Sequence, residues 1–64
     1  MKVREVIRTL TDEGWIQIEH KGSHRQFKHP TKPGRVTVPG KMSDELKKKT
    51  LKSIWQQAGL EFDS

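Results

Sequence analysis

Apolar residues in this chain recur with a helical period at both ends and with a period of two in between. Val3, Val6, Ile7 and Leu10 fall at i, i+3, i+4 and i+7, one stripe of a helix over residues 2–13, and Gly14 is a natural left-handed stop. Leu51, Ile54, Trp55 and Ala58 repeat that spacing near the other end, with Leu46 extending the face backwards and Gly59 as the stop. Ser43 is the expected N-cap of this second helix, and Asp44 and Glu45 its first turn, where the helix dipole favours negative charge.

The middle alternates. Trp15 to His20 is β-branched and aromatic, with Ile16 and Ile18 on one face and Gln17 and Glu19 on the other. Lys21-Gly22-Ser23 reads as a turn in which Gly22 supplies a positive φ. His24 to His29 is a second strand: His24, Gln26 and Lys28 point one way, Arg25, Phe27 and His29 the other. With Phe27 as the core anchor, parity puts His24 on the exposed face. Pro30-Thr31-Lys32-Pro33-Gly34 is a loop, and Arg35 to Val38 a third strand with Val36 and Val38 inward, stopped by Pro39-Gly40. Short connections favour an antiparallel meander, and two apolar stripes need one sheet face to cover. The expected fold is therefore α+β, in the order α-β-β-β-α: a three-stranded antiparallel sheet with both helices on one face. Residues 1–64 form a single domain, without a visible repeat or linker. Leu60 and Phe62 are expected to fold back over the sheet.

A chain of 64 residues buries only ~60% of its unfolded surface, so a covering partner would help it. The net charge of +5 favours polyanions, nucleic acid first. There is no cysteine, which rules out disulfides and thiolate metal sites. The N-terminal segment lacks the apolar core of a signal peptide, and no apolar run approaches membrane length. A soluble, cytoplasmic protein without a membrane partner is expected.

No acid lies between His20 and Ser43, whereas Lys21, Arg25, Lys28, Lys32, Arg35 and Lys41 all do. His24 stands at the mouth of this basic stretch. Imidazole titrates near neutrality, so it can serve as a general base beside a phosphodiester, taking the proton of a 2′-hydroxyl that attacks the adjacent phosphate. The alternative is a surface histidine that bonds the turn. Lys21, Arg25, Lys28 and Lys41 are candidate phosphate contacts or a solvated basic face. Lys47, Lys48, Lys49 and Lys52 load one side of the second helix, either solvated or as a further backbone contact. Trp15 and Trp55 are better placed for core packing than for stacking on bases. His20, His24 and His29 fit no zinc-ligand spacing, and no carboxylate cluster suits a two-metal mechanism. Neither metal nor cofactor is expected.

Taken together, these segments resemble the HicA family of bacterial toxins. Val3-Arg4-Glu5-Val6-Ile7 with Gly14-Trp15 is similar to the family's first helix and the step after it. Lys21-Gly22-Ser23-His24-Arg25-Gln26-Phe27, continued by His29-Pro30, resembles its Gly-Ser-His signature. Val36-Thr37-Val38-Pro39 is similar to the third strand, and Thr50 to Ile54 with Gln57-Ala58-Gly59-Leu60 to the last helix. The resemblance implies a double-stranded-RNA-binding-domain-like fold and a metal-independent mRNA interferase in a type II toxin-antitoxin system. It puts the catalytic histidine at His24; around it, the turn and the basic residues read above make Lys21, Gly22, Ser23, Arg25, Lys28, Lys41 and Lys48 the expected RNA-binding residues. It further implies mRNA and a HicB-like antitoxin as partners. Where many members carry a histidine after the proline of the third strand, this chain has Gly40-Lys41, and where Pro-Gly often precedes Thr-Leu it has Lys48-Lys49. The proton for the leaving 5′-oxygen would then come from water or a lysine. From other classes, a non-catalytic RNA-binding module and a basic subunit that meets an acidic protein remain alternatives.

Overall fold

The computed structural model describes residues 1–60. The elements are α1 (Val3–Asp12), β1 (Ile16–Lys21), β2 (His24–Lys28), β3 (Arg35–Val38) and α2 (Lys48–Ala58). The strands form one antiparallel sheet in the order β1-β2-β3. This is the expected α+β meander, open on one side as in double-stranded-RNA-binding domains.

One core holds it together. Val3, Val6 and Leu10 of α1 meet Phe27, Val36 and Val38 of the sheet and Leu51, Ile54, Trp55 and Ala58 of α2, with Trp15 closing the end. Both helices therefore cover the same sheet face. Trp15 and Trp55 are buried in this cluster and present no surface for a base. Leu60 packs against its edge, whereas Phe62 lies outside the described residues.

The two helices end alike. The Trp15 N–H donates to the Leu10 carbonyl and that of Gly14 to Thr11, while Leu60 donates to Trp55 and Gly59 to Gln56. Each pair is a Schellman closure, which satisfies carbonyls left free by the last turn.

The start of α2 departs from expectation. The helix begins at Lys48, so Ser43 is not its N-cap, and Asp44 and Glu45 are not in its first turn. Those residues serve α1 instead. The Asp44 and Met42 carbonyls accept the N–H groups of Val3 and Arg4, and Leu46 N–H donates to the Met1 carbonyl. Amides at the start of α1 need acceptors, and the turn at Met42-Ser43 with the extended residues after it supplies them where a helix would have kept its carbonyls for itself. Leu46 still packs on the core, but from this extended segment.

Strand β1 also behaves unusually. Its register with β2 shifts between Gln17 and Glu19, a bulge at Ile18. Ile16 pairs with Lys28, on the face opposite the buried Phe27. Ile16 and Ile18 thus lie 58% and 46% exposed on the open side of the sheet.

Candidate nucleic-acid interface and its surroundings

His24 is the first residue of β2 and pairs with Lys21 across a two-residue turn, Gly22-Ser23. Gly22 sits at φ 57°, the conformation a tight hairpin asks of its first central residue. The turn fixes where the imidazole leaves the sheet. The ring is exposed on the open face, as parity requires, and hydrogen-bonds no other described residue. Lys21 projects beside it.

The same end of the molecule gathers further positive charge. Val38 pairs with Arg25, so the next step of the register carries Pro39-Gly40 past His24. Lys41 follows directly; its N–H donates to Asp44 Oδ2 (2.9 Å) while its side chain stays in solvent. Leu46 is tied to Met1, which brings the start of α2, with Lys48 exposed, to this end too. The N-terminal ends of both helices lie here, and each adds partial positive charge. The nearby acids are engaged locally: Glu5 accepts the Lys2 N–H (2.7 Å), and Glu45 pairs with the N-terminal ammonium.

Arg25 and Lys28 stand apart. Arg25 faces the helix side and donates from Nη1 to the Gly40 carbonyl (2.9 Å), tying β2 to the loop that carries Lys41. Lys28 shares the face of His24 but lies at the far end of β2, roughly 13 Å along the strand. Arg25→Ala is expected to cost roughly 1–2 kcal/mol, since the bond is charge-assisted but only half-buried. Arg25→Lys should recover part of that, an ammonium reaching the carbonyl without the planar fork. Thermal denaturation of the two variants reads the difference.

The remaining histidines divide as well. His20 is paired with Arg25, off the face that carries His24. His29 closes the fold at the opposite end. Its Nδ1 accepts the N–H groups of Thr31 (3.1 Å) and Lys32 (3.2 Å), so Nε2 carries the proton and donates to the Glu13 carbonyl (2.9 Å). The ring also meets Trp15 edge-on, with centroids 5.2 Å apart. Sequence reasoning missed this clasp, because its partners are backbone groups that any residue carries. It also missed the pair on the open face in which Arg35 Nη1 donates to Gln26 Oε1 (3.1 Å). That pair was findable in principle, since Gln26 shares the parity of His24.

An exposed histidine on a Gly-Ser turn, flanked by lysines and without a buried role, is the arrangement to set beside known proteins. The model of the HicA toxin of bacterial toxin-antitoxin systems matches residues 3–60. The chain belongs to the HicA toxin family. It is the toxin component of a toxin-antitoxin system, and membership implies a HicB-like antitoxin as its partner. A search of curated proteins returned no match. No helix among the described residues of this HicA-family toxin is long and apolar enough to cross a membrane.

Proposed function

We propose that this HicA-family toxin is a metal-independent endoribonuclease that cleaves mRNA, with His24 as the general base. The observation that carries the reading is the free imidazole of His24 at the one end of the molecule where Lys21, Lys41, Lys48 and both helix N-termini gather. His24 takes the proton of a 2′-hydroxyl, whose oxygen attacks the neighbouring phosphorus in line with the departing 5′-oxygen. Water or a lysine returns a proton to that 5′-oxygen as the bond breaks. Lys21 and Lys41 stabilise the additional negative charge of the transition state, and Lys48 holds a phosphate from the helix side. Gly22 and Ser23 form the turn that lets the RNA backbone approach the imidazole. Lys28 holds a phosphate further along the strand. Arg25 acts mainly through Gly40, by setting the loop that carries Lys41. An mRNA substrate puts the site of action in the cytoplasm.

The decisive assay compares wild type with His24→Ala on an mRNA-like transcript and on DNA of matching sequence. Cleavage of the RNA alone, by wild type alone, is the expected result. Binding without cutting by both proteins would replace the enzyme with an RNA-binding module.

A further inference from the structure

The open face of the sheet carries a second feature, at the end away from His24. Ile16, Ile18, Lys28, His29 and Pro30 line a shallow groove of about 350 Å³ with a largely apolar floor. In a chain with so small a core, two isoleucines left 58% and 46% exposed side by side are a cost to the isolated molecule. Lys28, part of the lining, and Arg35, its cross-strand partner in β3, set positive charge along one side of the floor.

We propose that this groove is where the antitoxin anchors, through a segment that sets apolar side chains on Ile16 and Ile18 and carboxylates against Lys28 and Arg35. Two features of the chain select this occupant. A second copy would bring another charge of +5 onto the same face, which disfavours self-association. The bulge at Ile18 also interrupts the β1 edge along which a like strand would have to pair. RNA gains little from an isoleucine floor, whereas an acidic-apolar protein segment complements both floor and rim. The inference rests on membership of a toxin-antitoxin family and not on the nuclease reading. Its consequence is a separation in space: Lys28, at the far rim of the anchor, lies roughly 13 Å along β2 from His24. Losing neutralisation therefore need not cost toxicity.

The test uses the full chain, with threonine at both positions so that the strand keeps β-branched residues. Ile16→Thr/Ile18→Thr is titrated with the purified cognate HicB-like antitoxin, alongside wild type and Lys52→Glu, a charge change on α2. The double variant should bind at least about tenfold more weakly while keeping the far-UV circular dichroism of wild type. Expressed alone it should still arrest growth, and co-expressed antitoxin should no longer rescue. Lys28→Glu should weaken binding in a salt-dependent manner, and Lys52→Glu should leave it unchanged. Antitoxin affinity within threefold of wild type in the double variant would overturn the proposal. So would a free wild-type dimer that the double variant converts to monomer, since the groove would then be a self-interface. Loss of affinity for a single-stranded RNA oligonucleotide with antitoxin binding intact would assign the face to RNA instead. If His24→Ala proved fully toxic, the nuclease reading would fall and the anchor would stand.

Discussion

His24→Ala should reduce RNA cleavage by about 10²–10⁴-fold, the usual contribution of a positioned general base, or roughly 3–5 kcal/mol of barrier. Stability should barely move, within about 0.5 kcal/mol, because the ring is exposed and bonds no other described residue. That contrast gives the prediction its force. A histidine that merely braced the hairpin would show the reverse: a lower melting temperature and near-normal activity. The assay should follow initial rates at saturating RNA, so that a loss in turnover is separated from a loss in binding. RNA affinity should change little, since Lys21, Lys41 and Lys48 remain in place. A variant that still cuts at a tenth of the wild-type rate or better would remove His24 from the chemistry.

The second large effect is structural and arises at the other end of the sheet. Gly14 adopts φ 94°, and a Cβ added there would lie 2.8 Å from His29 Nε2. Gly14→Ala therefore meets two penalties. The backbone strain is about 1–3 kcal/mol, and the imidazole must withdraw, losing its bond to the Glu13 carbonyl at about 1 kcal/mol. A total of about 2–4 kcal/mol would lower the melting temperature by roughly 10–30 °C in a domain of this size. In so small a domain that approaches the whole stability of the fold. His29→Ala alone removes the clasp but not the backbone conformation. The double variant Gly14→Ala/His29→Ala should consequently be less destabilised than the sum of the singles, because the clash is gone. Strict additivity would mean that the close approach of Gly14 and His29 carries no energy.

How much of this could be read beforehand varies by residue. The stripe Val3-Val6-Leu10, the pair Val36 and Val38, and the stops at Gly14 and Gly59 were all legible, because a local repeat or a local backbone preference specifies each. The exposure of His24 followed from its parity with Phe27. Three features were not legible. The start of α2 was misplaced because Ser43-Asp44-Glu45 has the composition of a helix start. Its backbone is taken by the N-terminus of α1, residues distant in sequence. The clasp of His29 depends on the carbonyl of Glu13 reaching it across the fold. Alternation alone left open whether Ile16 and Ile18 face the core or solvent; the register with Lys28 puts Ile16 outside, and Ile18, in the bulge, is left exposed beside it.

Periodicity along the chain thus determined the element order, the core-facing stripes and the side of the sheet on which His24 stands, since each depends on neighbours within a turn or a pleat. Tertiary structure alone decided what those elements face. It collected Lys21, His24, Lys41 and Lys48 at one end, drew Arg25 onto Gly40, and left an isoleucine groove at the other end. Those outcomes depend on which strand edges pair and where one segment's free amides find another segment's carbonyls, and no local pattern of side chains encodes that choice.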